Sequence, residues 1–210
     1  MDLFEAMFTQ RAIRRFSPEP VPDELLRRVL DAAIRAPSGG NNQSWNFVVI
    51  TDSDVKNQVG RIYKQAWDDV GLSRFANDPD VSRARIYRSA DYLAERMGDA
   101  PVLLLACIEG RSDSSSLTTG ASIYPAVQNL MLAARGFGLG TVMTTVHKYR
   151  ETEMKKLVGI PDEVETAALI PMGYPEKGTG FGPTTRKPIE QVTFRNHWAH
   201  NIEFLPPSEI

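Results

Sequence analysis

Leu3, Phe4, Met7 and Phe8 recur at the spacing of one helix face, and Leu25, Leu26, Val29, Leu30, Ala33 and Ile34 form a second stripe of the same kind. The second stripe predicts a helix from Pro22 to Ala36. Pro22 suits its first turn, Asp23 and Glu24 complement its positive end, and Pro37-Ser38-Gly39-Gly40 stops it. Asn46 to Thr51 reads as a strand, and residues 53–98 as mostly helix with a break around Asn77-Asp78-Pro79. The unbroken apolar run from Pro101 to Ile108 predicts a strand buried on both faces. Gly110 to Gly120, rich in Ser and Thr, predicts a loop before a long helix over 121–135. A β-branched strand over Thr141 to Thr145, a helix from Glu151 to Val158 and a strand from Thr166 to Met172 complete the periodic part. About four short strands among these helices predict an α+β or α/β layer protein, with residues 1–210 as a single domain.

Composition removes several functions. The chain has 210 residues and a net charge of -2, from 24 Lys+Arg against 26 Asp+Glu, so no basic excess draws it to nucleic acid. Cys107 is the sole cysteine, which rules out an internal disulfide and a paired-thiol zinc site and fits a reducing cytoplasm. The start Met1-Asp2-Leu3-Phe4-Glu5 lacks a signal-peptide pattern, and no apolar run approaches the ~20 residues that cross a bilayer. No membrane association is expected.

Several tempting motifs fail on their context. Gly136-Phe137-Gly138-Leu139-Gly140 follows a helix, whereas a dinucleotide fingerprint follows a strand and opens a helix; it reads as helix termination and a tight turn. Gly173 to Thr179 lacks the Lys-Ser/Thr pair of a phosphate-cradling loop. His197 and His200 have no acidic or thiol companions, so no metal site is expected, and Cys107 sits inside an apolar strand as a small hydrophobe.

Three segments remain with chemistry to offer. Gln10-Arg11-Ala12-Ile13-Arg14-Arg15-Phe16 places three arginines after the first helix; if the helix persists, Arg11, Arg14 and Arg15 share a side. Ala36 to Trp45 gathers side-chain amides, hydroxyls and two glycines in a connection that needs only a few residues. Met172-Gly173-Tyr174-Pro175 is followed by Thr184-Thr185-Arg186-Lys187-Pro188.

In this order the three segments resemble the nitroreductase family of FMN-dependent oxidoreductases, as does the helix Gln128 to Ala134 leading into Gly138-Leu139-Gly140. The resemblance spans about residues 4–190 and implies an α+β fold, with a mostly antiparallel central sheet of four to five strands flanked by helices. It implies that Arg11 and Arg186 hold the FMN phosphate and ribityl chain, and that Arg14 faces the pyrimidine end of the ring. Ser38, Gly39 and Asn41 would reach the same flavin from the partner of a homodimer. In the turn Thr144-Thr145-Val146, the segment carrying Thr145 and Val146 would bring a backbone N–H to the flavin's central redox nitrogen. Two positions depart from the pattern: Gln10 stands where many members have Arg, and Ala12, within the flavin-binding segment, where many have Ser. Arg15 replaces the missing charge if its side chain turns inward.

The activity so implied passes hydride or electrons from NADH or NADPH through FMN to a nitroaromatic, quinone or activated alkene, by a ping-pong mechanism. No catalytic side chain is required, because the flavin carries the chemistry. Specialised alternatives are reductive dehalogenation or flavin fragmentation, the latter subgroup having an acidic residue where Ala12 stands; a non-enzymatic flavin-sequestering protein is a third. Residues 63–97 are expected to form a lid, with Tyr63, Trp67, Tyr87 and Tyr92 as acceptor-site candidates. Residues 181–210, carrying Phe194, Trp198, Phe204 and Leu205, are expected to form an arm that embraces the partner subunit.

Overall fold

The computed structural model describes residues 1–109 and 116–202. Gly110 to Ser115 of the expected loop, and Phe204 and Leu205 of the expected arm, lie outside the described residues. Four strands, β1 (Trp45–Ile50), β2 (Val102–Ile108), β3 (Gly140–Thr141) and β4 (Glu165–Gly173), form one sheet in the order β1-β2-β4-β3, with every adjacent pair antiparallel. The helices are α1 (Leu3–Thr9), α2 (Asp23–Ala33), α3 (Ser53–Asp69), α4 (Val81–Arg96), α5 (Ser116–Gly136) and α6 (Glu151–Val158).

Alternation along β2 explains why it is apolar throughout. Leu104, Ala106 and Ile108 face a core shared with Val29 and Ala33 of α2 and with Leu130 and Ala134 of α5. Leu103, Leu105 and Cys107 face the opposite core, with Val59 and Tyr63 of α3, Leu93 of α4 and Met154 of α6. The result is a helix–sheet–helix sandwich. Burial pushes the Cys107 thiol up to about 11, which leaves it protonated and inert.

The structure moves some predicted boundaries. The helix expected over 121–135 begins at Ser116, so the last residues of the expected Ser/Thr-rich loop are helical. Thr141 to Thr145 is not one strand: β3 ends at Thr141, and Thr144 makes an isolated bridge with Leu169. Gly138, at φ +78°, turns the chain out of α5, and the Leu139 N–H donates to the Ala134 carbonyl at 2.8 Å, as expected of a helix stop.

The three arginines do not share a helix side. Helix α1 ends at Thr9, with Gln10 extended, and the chain then runs as a non-helical ribbon beside β3. Ala12 bridges Thr141, and the Ile13 N–H donates to the Thr141 carbonyl at 3.0 Å. On the other side, Ser17 N–H donates to Tyr174 O, Glu176 N–H to Arg15 O, and Gly182 N–H to Thr9 O. Ile13 is buried, which outweighs any local preference for continuing the helix.

Candidate functional site

Two glycines make room for the ribbon. A Cβ on Gly140 would stand 2.6 Å from Ile13 Cγ2, and one on Gly173 would stand 2.6 Å from Pro101 Cδ and 3.3 Å from Phe16. Both are seats that no other residue fits without displacement. Nothing local in the sequence marks them, because the atoms they accommodate come from distant segments.

Arg14 projects from this ribbon and is half-buried. Burial pushes its guanidinium below the ordinary value, while the neighbouring Tyr63 opposes that shift. Among the described residues no carboxylate lies within 4.0 Å of it. Arg15, by contrast, pairs with Glu176 at 3.8 Å and sits 3.5 Å from the Tyr92 ring centroid. Arg15 therefore turns outward, onto Tyr92 and Glu176. An unpaired, partly desolvated cation at Arg14 is costly in a protein without an anionic ligand to meet it.

The turn 144–146 follows β3. The Thr144 N–H donates to Leu169 O at 3.0 Å, and Thr144 O accepts from Leu169 N–H at 2.9 Å. The Val146 N–H donates to Thr144 Oγ1 at 3.4 Å. In a trans peptide the N–H points opposite to the preceding C=O, so with the Thr144 carbonyl turned toward β4 the Thr145 N–H points away from it. Among the described residues that N–H has no acceptor, and Thr145 is exposed. The turn thus presents one outward backbone donor, while the unpaired Arg14 cation lies on the ribbon that borders β3.

Arg11 and Arg186 are both exposed. The Thr9–Gly182 hydrogen bond lies two residues before Arg11 and four before Arg186, and thereby brings the two segments together. Arg186 Nη1 donates to its neighbour's carbonyl, Thr185 O, at 2.9 Å. Neither arginine has a carboxylate partner among the described residues.

Ser38, Gly39 and Asn41 stand elsewhere. Their loop is held by Ser38 Oγ, which accepts from Gln43 N–H at 3.1 Å, and by the Gly39 N–H, which donates to Ser122 Oγ of α5 at 3.2 Å. Gly40, Asn41 and Gln43 all have positive φ, of 59°, 55° and 51°. The loop enters β1 at Trp45, opposite Ile108, whereas the ribbon lies beyond β3, level with Val102 and Met172. Four strand spacings, the last from β3 to the ribbon, and the length of β2 separate them, a distance on the order of 25–30 Å. Within one chain these residues do not meet Arg14.

The aromatic acceptor-site candidates are largely packing residues. Tyr63 is 2% exposed and Trp67 4%. The Trp67 indole N–H donates to Asp91 Oδ1 at 2.7 Å, tying α3 to α4. Tyr87 is half-buried against Phe75, with ring centroids 4.8 Å apart, and Tyr92 is half-buried beneath Arg15. Tyr63 carries the contact that sequence reasoning missed: its hydroxyl lies 2.9 Å from Thr144 Oγ1. Its position in α3, four residues before Trp67, looks like any core aromatic. A second overlooked residue is His147, fully buried, with Nε2 3.0 Å from Thr166 Oγ1 and its ionisation pushed down to about 4 by burial. Among the described residues no helix is long and apolar enough to cross a membrane.

The antiparallel sheet between helices and the arginine-bearing ribbon seated on Gly140 and Gly173 make up a nitroreductase-like α+β fold. The chain belongs to the nitroreductase family, whose model matches residues 8–174. It is 31% identical over 197 residues to an iodotyrosine deiodinase of Thermotoga neapolitana, covering 92% of this chain and 96% of that one. A Methanothermobacter thermautotrophicus protein, provisionally named NADH dehydrogenase/NAD(P)H nitroreductase, is 27% identical over 182 residues, covering 86% of this chain and 81% of the relative. Among solved structures, oxidised iodotyrosine deiodinase bound to FMN and 3-iodo-L-tyrosine superposes with a TM-score of 0.70 at 27% identity, over 93% of this chain and 99% of that chain.

Proposed function

We propose that this protein is an FMN-dependent oxidoreductase that takes reducing equivalents from NADH or NADPH and passes them, by a ping-pong mechanism, to small acceptors such as nitroaromatics, quinones or activated alkenes. The observation that carries this reading is Arg14: a half-buried guanidinium, unpaired among the described residues, on a ribbon that borders β3, while the turn after β3 presents an outward Thr145 N–H. This donor set fits a planar heterocycle that gains negative charge on reduction. FMN, when bound, supplies the hydride and electron chemistry, so no nucleophile or acid–base pair is needed from the chain. Arg14 would offset charge at the pyrimidine end, and the Thr145–Val146 backbone would meet the ring's centre. Arg11 and Arg186 would hold the phosphate and ribityl chain, and Ala12 would leave the ribbon's face open to the ring.

Ser38, Gly39 and Asn41 would complete the site from a second copy of the chain, which their distance from Arg14 within one subunit favours. Exposed apolar side chains favour the same assembly: Phe4 and Phe8 of α1 are 65% and 68% exposed, and Trp198, against Phe194, is 87% exposed. A homodimer embraced by residues 181–210 would cover them, and residues 63–97, with Tyr87 and Tyr92 on their outer part, would act as the lid.

A second reading, reductive dehalogenation of a halophenol such as a halotyrosine, is favoured by the 31% identity to the Thermotoga deiodinase over almost its full length. One experiment separates the readings. The purified protein, loaded with FMN, is reduced anaerobically with NADH, NADPH or dithionite and then mixed with a nitroaromatic, a quinone or 3-iodotyrosine. Bleaching by a nicotinamide and reoxidation by the first two acceptors supports the leading reading. Iodide release as the productive reaction supports the second, and a flavin that no acceptor reoxidises overturns both.

A further inference from the structure

Two of the three N–H groups in the turn 144–146 are occupied within the protein, and a side chain from another layer fixes the geometry of the third. Thr144 is held at its backbone by Leu169 and at its side chain by Val146 N–H and by Tyr63, whose hydroxyl lies 2.9 Å from Thr144 Oγ1. Tyr63 in turn has little freedom. It stacks on Trp67 at 6.5 Å between centroids, and Trp67 is bonded to Asp91 and Ser73. The same phenol is the group that Arg14 senses electrostatically from the ribbon. One buried hydroxyl therefore touches the turn, although it comes from α3.

We propose that Tyr63 is a positioning residue for the redox centre: its hydroxyl fixes Thr144 so that the Thr145 N–H is aimed at the reduced form of the bound cofactor. This rests on the reading of Arg14 and the turn as the flavin-facing surface. The residue does not touch the cofactor; it acts through Thr144. Removing the hydroxyl lets the turn relax, which weakens a donor whose value is greatest when the ring carries negative charge. The effect falls on the reduced state more than on the oxidised state, and it is read as a potential.

The test compares the FMN-loaded parent with Tyr63→Phe, Thr144→Val, the double variant and Thr144→Ser, by equilibrium redox titration and by binding of oxidised FMN. Expected is nearly unchanged affinity for oxidised FMN, within about threefold, and about tenfold weaker relative affinity for the reduced form; the potential then falls by ~30 mV. Both single variants should give this shift, the double variant should give no more than either, and Thr144→Ser should restore most of it. Val29→Ala is the control, because Val29 lies in the core on the other face of the sheet from Tyr63: its melting temperature should fall with the potential unmoved. A Tyr63→Phe variant with the parent's potential overturns the proposal while the flavin reading stands, as does an additive double variant. Should Tyr63→Phe fail to fold, Tyr63→Leu takes its place, with the same fall in potential expected and an unmoved potential overturning the proposal. A parent that takes up no FMN overturns the functional reading and this proposal with it.

Discussion

Arg14 and Arg15 are chain neighbours with opposite commitments. Arg15 lies on the Tyr92 ring and pairs with Glu176, whereas Arg14 turns into the protein beside Tyr63 and meets no carboxylate among the described residues. The difference follows from the ribbon, which lets adjacent side chains diverge where a helix would have grouped them.

Replacing Arg14 with Met should therefore act in two directions. FMN affinity should fall roughly tenfold to a hundredfold, the usual worth of a hydrogen bond to a charged group. The flavin-free protein should melt no lower than the parent, because a desolvated charge without a partner has been removed. Fluorescence titration of FMN and thermal denaturation of the apoprotein check the two halves. A lower apoprotein melting temperature would mean that Arg14 has a structural partner.

If Arg14 and Asn41 serve one flavin from two subunits, defective chains should complement each other. Arg14→Ala and Asn41→Ala homodimers should each bind FMN weakly. A heterodimer of the two should hold one site of parental affinity and one doubly impaired site. Differently tagged chains, copurified and titrated with FMN, give the count, and uniformly weak binding would place both residues on the same subunit's site.

The buried His147 sets an acid limit on stability. Its ionisation lies near 4 in the fold against an ordinary 6.5, because burial disfavours the imidazolium. The unfolded chain takes the proton first as the pH falls, so the stabilisation is full above 6.5, declines below it and is lost by about 4. The displacement corresponds to about 3 kcal/mol. Glu151, which accepts from Thr166, adds the same sign lower down: burial alone would raise its ionisation, but the Thr166 hydrogen bonds and Lys148 more than offset that. Melting temperatures between pH 7.5 and 4 should be flat and then fall, and His147→Gln should flatten the upper part of that descent.

Gly140→Ala should disturb the site without touching it. The added methyl would meet Ile13 at 2.6 Å, and such overpacking costs about 1–3 kcal/mol. Urea denaturation should report the loss, and because the ribbon must shift, the flavin-to-protein absorbance ratio should drop as well. A destabilised protein with full flavin occupancy would show that Arg11 and Arg14 are positioned from elsewhere.

The elements that could be read from the sequence are those whose cause is local or repeats along the chain. Helix α6 falls where the spacing of Met154, Leu157 and Val158 puts it, and β2 announces itself because cores on both faces demand apolar residues at every position. The end of α1 could not be read, since Arg11, Arg14 and Arg15 satisfy helical spacing; what breaks the helix is Ile13 seated on Gly140 from across the fold. The arginines themselves were legible as an ordered set of segments, but their division into paired and unpaired was not. Tyr63 gave no signal for its hydroxyl, because the partner Thr144 lies in another layer.

The bond between Thr9 and Gly182 also dictates when during synthesis the protein becomes competent. The ribbon that carries Arg11 and Arg14 leaves the ribosome well before its flanking hydrogen-bond partners, at residues 174 to 182, are made. At about 5–20 residues per second the N-terminal segment waits on the order of ten seconds for that neighbour. A nascent chain stalled before Gly173 has most of its core but no completed ribbon, so under the proposed reading FMN capture should come only after the sheet has folded.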